Sequence, residues 1–316
     1  MNFIDFSNIP AEILEIIIDN SLEVKNNSNA YGKLFEGKGL YMLFEKTSTR
    51  TAISFERAMV TMGGTAMIQR LEDTNFGICD IQDEVRYVGR NFDVITARMK
   101  NNADIKIMGE YSTVPIINGC CNKYHPCQAM ADIMTIKELF GTFNVKMMYI
   151  GVWNNVFNSL VESLPKLGGK LYGCTPIMNK PAYDQKIVEA AMATGNFIQL
   201  DTNMPKENLK KLVQEMDVIY TDTWVDMEFF KNPSFAEKKE ERLSKMMPFQ
   251  INEELLEGSK AIIMHDMPMH PGYEISRETI EKHIDTILLQ AENRTHAQKG
   301  ILIEVMPGMV EKFEAT

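Results

Sequence analysis

Short apolar runs alternate with helix-patterned stretches along most of this chain, and that alternation restricts the fold more than any single residue does. An apolar run of four to eight residues between turn signals reads as a strand buried on both faces. Strands separated by helices pair in parallel. LYMLF (40–44), TAMIQ (65–69), DVITAR (93–98) and VPIIN (114–118) are such runs in the first half. Residues about 10–25 and about 50–62 repeat apolar side chains at helical spacing. The first region closes on Gly37-Lys38-Gly39 and the second on Met62-Gly63-Gly64, the glycine stops a helix end favours. VRYVGRNF also has helical spacing, and the helix QAMADIMTIKELF (128–140) follows the fourth run.

The pattern then restarts. VKMMYIG (145–151) reads as a strand and NNVFNSLVESLPKLGG (154–169) as a helix ending in two glycines. KLYGCTP, MDVIYTD and AIIMHDMP are strand-and-loop units. A helix near 276–284 precedes a last strand, TILLQ, and a final helix covers about 291–306. NPSFAEKKEERLSK (232–245) reads as a charged surface segment. A length of 316 residues suits two domains of roughly 150 residues each. The expected fold class is α/β, two doubly wound parallel-sheet domains with the C-terminal helix packing back on the first. Residues 1–142 with about 291–316 form one predicted domain, and 143–290 the other.

A net charge of −10 opposes a phosphate backbone, so nucleic acid is an unsuitable partner. A small anion would need local donors working against that field. The five cysteines, Cys79, Cys120, Cys121, Cys127 and Cys174, are odd in number and two are adjacent. The opening residues Met1 to Asp5 lack a basic flank and apolar core. Together these predict a reduced, cytoplasmic protein without structural disulfides. No apolar run reaches the roughly 18 residues of a membrane span.

Ligands of open α/β sheets sit beyond the carboxyl ends of the strands, and five polar clusters fall there. They are Lys46 to Thr51, Arg98, His125-Pro126-Cys127-Gln128, Asp222-Thr223-Trp224 and His265-Asp266-Met267-Pro268. The first opens a helix, whose free N–H groups and dipole favour an anion. Ser48 or Thr49 alone would serve as a cap; Ser48, Thr49, Arg50 and Thr51 together offer a phosphate cradle. His125 is either a helix cap or a catalytic group. Cys120, Cys121, His125 and Cys127 do not have zinc-site spacing, and Cys127 as nucleophile lacks a second histidine partner. GVWNN (151–155) is not a dinucleotide fingerprint; Asn154 and Asn155 read as a cap, a donor pair, or both. Asp222 and Asp266 suit a cationic amine, and Arg294 is either a surface charge or a group reaching back toward the strand ends.

In this order, STRT, HPCQ, GVWNN, TDTW, HDMP and AENR resemble the aspartate/ornithine carbamoyltransferases, nearer the ornithine branch. The resemblance covers nearly the whole chain. FEKTSTRTAISFE, PIINGCCNKYHPCQAMADIMTI and AENRTHAQKGIL carry most of it. It implies an N-terminal carbamoyl phosphate domain, a C-terminal amino-acid domain and a homotrimer with sites between subunits, needing no metal or organic cofactor. By the same resemblance, Ser48, Thr49, Arg50 and Thr51 hold phosphate. Arg98, His125 and Gln128 bind and polarise the carbamoyl carbonyl, with Arg294 nearby. Asn155 and Met227 position the amino acid, and Asp222 and Asp266 with Met267 face its amine. The loop that reaches a neighbouring subunit corresponds to Glu72 to Gly77, where Asn75 stands in for the usual basic group.

Two departures lie on the acceptor side. Asp226-Met227-Glu228 replaces S-M-G and Asp266 replaces the cysteine of H-C-L-P, and together they make the pocket more acidic. The expected reaction is carbamoyl transfer to L-ornithine, giving citrulline and phosphate. The alternatives are another basic amine (lysine, a shorter diamino acid, putrescine) or a non-catalytic carbamoyl phosphate-binding relative.

Overall fold

The structure, a computed structural model, describes residues 1–225 and 233–316. The chain divides into two compact units, one of Met1–Leu139 with Glu292–Thr316 and one of Phe140–Ala291. Both are α/β units built on a wholly parallel sheet.

The first unit has strands β1 (Gly39–Phe44), β2 (Thr65–Arg70), β3 (Val94–Arg98) and β4 (Ile116–Cys120), in the order β2-β1-β3-β4. Leu40 to Phe44 and Val94 to Ala97 are buried, as continuous apolar runs require when both sheet faces are covered. Its helices are α1 (Ala11–Asn26), α2 (Thr49–Val60), α3 (Ile81–Val88), α4 (Asn102–Tyr111) and α5 (Pro126–Phe140). From β1 the chain steps to β2 on one side and then crosses to β3 on the other. That reversal opens a crevice beyond the carboxyl ends of β1 and β3, where Phe44 and Arg98 are register partners. The turn after α2 depends on Gly63, at φ 88°, where a Cβ would lie 2.9 Å from the Gly32 carbonyl oxygen.

The second unit has β5 (Lys146–Trp153), β6 (Lys170–Met178), β7 (Phe197–Gln199), β8 (Val218–Thr221) and β9 (Ile262–His265), in the order β7-β6-β5-β8-β9. Here the reversal lies between β5 and β8. The helices are α6 (Asn155–Ser163), α7 (Gln185–Ala193), α8 (Lys206–Gln214) and α9 (Ala236–Met246). Met148, Ile150, Ile219 and Ile263 of the strands pack with Leu209 and Val213 of α8.

Two expectations fail. TILLQ is not a strand, and the helices predicted on either side of it are one helix, α10 (Arg277–Val305), followed by α11 (Met309–Glu314). Ile280, Ile287, Gln290, Arg294, Ala297, Ile301 and Val305 are among its buried positions, and they recur at the helical period. Branched residues in a five-residue window suggested a strand; the longer period decides. The charged stretch 232–245 is mostly exposed where described, as expected, and from Ala236 onward it is a helix. Its Leu243 and Met246 pack against Val152, Trp224 and Val225, so one stripe of a charged sequence is core. The helix expected over 154–169 ends at Ser163, because Pro165 cannot continue it, and a single tight turn (Pro165–Leu167) leads to Gly168 at φ 90°. Helices α4, α7 and α8 and the edge strand β7 are further elements, weakly patterned in the sequence. No helix among the described residues is long and apolar enough to cross a membrane, and none of the five cysteines sits in a disulfide there.

Candidate active site

In the first unit, α2 starts beyond the end of β1. Ser48 caps it, its Oγ accepting the Thr51 N–H at 3.3 Å. No acidic side chain occupies the first turn, so the positive end of the helix dipole is left for an external anion. Thr49 and Arg50 open the helix, and Thr51 is fully buried behind them.

Thr51 is where the separate motifs converge. Its Oγ1 accepts from Arg294 Nη2 at 3.0 Å and from Arg98 Nη1 at 3.5 Å. Arg294 Nη1 donates to Gln128 Oε1 at 2.8 Å, and Gln128 Nε2 donates to Asp132 Oδ1 at 2.8 Å. Asp132, Gln128, Thr51 and Arg294 are all buried. Hydrogen bonds of this charged kind contribute about 1.5–3 kcal/mol each. Asp132 thus orients Gln128, and Gln128 with Thr51 holds the guanidinium of Arg294. With two guanidinium donors on the Thr51 oxygen, its own proton is left for a further acceptor. Arg50 Nε and Arg98 Nε are buried without a hydrogen-bond partner among the described residues. Donors stranded this way cost about 1–3 kcal/mol each, a cost that a bound oxyanion removes.

His125 precedes α5, and its carbonyl accepts the Gln128 and Ala129 N–H groups. It is 5% exposed. Burial, followed by the charges of Arg294, Arg98 and Arg50, holds its pKa well below the usual histidine range. The ring is therefore neutral at physiological pH, a hydrogen-bond donor that carries no charge of its own. Burial also pushes the neighbouring Cys127 thiol up to about 12, and its Sγ donates to the Asn118 carbonyl at 3.3 Å. A thiol so protonated is no nucleophile. Asn75 stands apart: it is exposed at the start of the turn Asn75–Gly77, and no hydrogen bond among the described residues joins its side chain to this cluster.

In the second unit, Asn154 follows β5 and caps α6, its Oδ1 accepting the Val156 and Phe157 N–H groups at 3.1 and 3.0 Å. The same side chain donates through Nδ2 to Asp222 Oδ2. One asparagine thus finishes a helix and fixes the carboxylate beyond β8. Asp222 is 4% exposed, and its other oxygen accepts the Thr223 N–H at 2.5 Å. Asn155 occupies the first position of α6, partly buried.

Asp266 follows β9. One ligand atom each of Asp222, His265 and Asp266 lie within 4.8 Å of one another. At an effective dielectric of about 20, two carboxylates at that separation repel by roughly 3 kcal/mol. A cation placed between them converts the repulsion into attraction. His265 Nδ1 accepts the Met267 N–H at 2.8 Å, so the ring proton sits on Nε2, facing Glu274 Oε1 at 3.2 Å. A metal ion on Nδ1 would displace the Met267 hydrogen bond that shapes this turn, where Met267 takes φ 61°. The three groups fit an organic cation better than a metal. Asp226, Met227 and Glu228, which the sequence also placed on the acceptor side, lie outside the described residues.

The family model for the aspartate/ornithine carbamoyltransferase carbamoyl-P binding domain matches residues 1–138, and that for the Asp/Orn binding domain matches residues 143–305. The chain belongs to this family. Ornithine carbamoyltransferase of Methanocaldococcus jannaschii is 36% identical over 306 residues, covering 95% of this chain and 97% of that one. The anabolic ornithine carbamoyltransferase of Pyrococcus furiosus is 39% identical over 286 residues, covering 88% of this chain and 86% of that one. The solved structure of ornithine carbamoyltransferase from Pyrococcus furiosus superposes with a TM-score of 0.86 at 35% identity, over 97% of each chain.

Within this carbamoyltransferase chain the motif residues do not act alone. Asp132 is an acid four residues after Gln128 in the otherwise apolar QAMADIMTI, a spacing that puts both on one helix face. Asn154 bonds to Asp222. Glu274 and His270 carry no motif that would have singled them out.

Proposed function

We propose that this protein transfers the carbamoyl group of carbamoyl phosphate to the side-chain amine of L-ornithine, giving citrulline and phosphate. The observation that carries this reading is the neutral, buried His125 beside Arg50, Arg98 and Arg294. A phosphate-binding protein has use for the arginines but none for an uncharged imidazole donor among them; a carbonyl that gains negative charge has use for both. The relatives of matching length are named ornithine carbamoyltransferases, which supports the same acceptor.

In this mechanism Ser48, Thr49, Arg50 and Thr51 hold the phosphate at the start of α2. Arg98, His125 and Gln128 take the carbamoyl group, with Arg294 fixed between Gln128 and Thr51. The neutral amine attacks the carbamoyl carbon, the C–O bond to phosphate breaks, and electron density moves onto the carbonyl oxygen and then to the departing phosphate. The departing phosphate takes the second proton, the one the nitrogen loses on attack. Losing one preorganised donor to such an oxyanion costs about 10²–10³ in rate. Asp222 and Asp266 receive the amine, and Asn155, Met227 and Met267 position the rest of the acceptor. A carboxylate beside an ammonium stabilises the charged form and so works against attack; Asp266 is accordingly assigned the role of general base that takes the proton as the acceptor enters.

Purified protein should release phosphate from carbamoyl phosphate faster with ornithine than with lysine, 2,4-diaminobutyrate, putrescine, N-acetylornithine or aspartate. Release confined to another amine would replace the acceptor. The closeness of Asp222 and Asp266 favours a second reading of that kind, a different basic amine with the same chemistry. Binding of carbamoyl phosphate without turnover on any amine would leave a binding protein.

The assembly proposed is a homotrimer, cytoplasmic, with Asn75 serving a neighbouring subunit. Edge strand β2 exposes Met67 and Ile68, and α2 exposes Ile53 and Val60, apolar side chains of the first unit that a second copy would cover. Light scattering should give three times 36.0 kDa; a monomer mass would remove the proposal.

A further inference from the structure

Glu274 is fully buried and lies between β9 and α10, outside every motif that marks the site. Burial works to raise its pKa, but hydrogen bonds from His265 and His270 outweigh it, and the group stays below the ordinary carboxylate range. Its backbone is pinned as well: the Glu274 carbonyl accepts the Ile251 N–H at 3.0 Å, and Ile251 and Ile275 form a parallel bridge. A charge placed so deep needs a reason, and its partners supply one.

Oε1 of Glu274 receives two donors on one oxygen. The first is His265 Nε2–H at 3.2 Å. Because Glu274 draws the ring proton to Nε2, His265 Nδ1 is bare and accepts the Met267 N–H at 2.8 Å. That bond shapes the turn carrying Asp266. The second donor is the His270 backbone N–H at 2.5 Å, with His270 Nδ1 also 3.5 Å from the same oxygen. His270 Nδ1 lies 3.1 Å from Thr223 Oγ1. The Thr223 hydroxyl gives its proton to the Val225 carbonyl at 3.0 Å, so it receives the His270 Nδ1 proton. Thr223 N–H in turn holds Asp222. One arm therefore ends at Asp266 and the other at Asp222.

We propose that Glu274 is a positioning residue that ties the turn after β8 to the turn after β9, setting the separation of Asp222 and Asp266 and with it the fit of the basic acceptor. The assignment of those two carboxylates to the acceptor rests on the function proposed above. The tie itself rests on the hydrogen bonds alone. Glu274 touches no substrate in this scheme. It acts through His265 and His270, as outer partners orient the groups that bind.

The test combines kinetics with a signal that does not depend on turnover. In Glu274→Gln, the acceptor KM should rise about 10- to 100-fold, the range seen when such outer partners are removed, while inorganic phosphate binds as in the wild type. The chain has five histidines, so ¹⁵N spectra can be assigned by single substitutions. His265 should show a protonated Nε2 and bare Nδ1 in the wild type and a mixture in Glu274→Gln. Thr223→Val cuts only the arm to Asp222 and should raise the acceptor KM several-fold with the His265 tautomer intact. It serves if Glu274→Gln does not fold. A folded Glu274→Gln with unchanged acceptor KM and unchanged tautomer overturns the proposal, as does equal loss of phosphate affinity. If Glu274→Gln does not fold, a Thr223→Val protein with wild-type acceptor KM overturns it. If the wild type turns over no amine, the acceptor reading fails separately, and a tautomer that collapses in Glu274→Gln still upholds the tie.

Discussion

The Thr51 hydroxyl holds the Arg294 guanidinium at 3.0 Å across 243 positions of sequence. The contact joins the first turn of α2 to α10 within the first unit.

Thr51→Val keeps the shape and deletes the hydroxyl. Arg294 Nη2 then loses its partner in a buried place, and phosphate affinity should fall about 10- to 100-fold, with stability down by about 1–3 kcal/mol. Calorimetric titration with phosphate and denaturant unfolding measure the two. Wild-type affinity would remove Thr51 from the site.

Arg50→Ala should go further and weaken phosphate and carbamoyl phosphate alike by at least about 100-fold, because a planar fork at a helix N-terminus has no substitute there. A variant that still binds both as the wild type does would move the phosphate elsewhere on the rim.

His125 gives a pH prediction with a definite sign. Its pKa in the folded protein lies well below 6.5, the value expected of it unfolded. Below that pH the unfolded chain takes a proton that the native state refuses. Stability owed to His125 is therefore whole above about 6.5 and declines as pH falls toward the folded-state pKa. Between pH 8 and 5 the wild type should lose more stability than His125→Gln. Equal losses would mean the ring is charged in the fold.

Asp266→Cys should change which amine is carbamoylated and leave phosphate affinity as it was. Competition between ornithine and lysine reads the first, titration the second. Loss of phosphate binding would break the division into a donor half and an acceptor half.

The α/β class was legible because buried parallel strands leave unbroken apolar runs, as in LYMLF and KMMYIG, and because glycines punctuate them. The stretches read wrongly were those where local composition and longer period disagree. TILLQ has a strand's residues inside a helix's spacing, and α9 hides Leu243 and Met246 among lysines and glutamates. At the candidate site, short motifs pointed to Arg50, His125 and Asp222: Arg50 and His125 sit at helix starts, and Asp222 directly follows strand β8. The residues that hold them were less legible. Asn154 was readable as a cap or donor, but its partner Asp222 lies 68 positions on. Asp132 and Glu274 bond to near neighbours in sequence, Gln128 and the pair His265 and His270, and only the helical spacing of Asp132 gives such a pairing away. Asp226 and Met227 lie in the stretch the structure does not describe.

The chain leaves the first unit at Leu139 and returns to it at Glu292. A ribosome therefore makes the start of α2 long before it reaches Arg294. Over that interval the nascent chain has the start of α2, His125 and Gln128, yet lacks the cation that joins Gln128 to Thr51. A product cut short before Arg294 would keep every acceptor residue described here and still be unable to complete the donor half. A closed Gln128–Arg294–Thr51 bridge is thus the mark of a chain translated past Arg294.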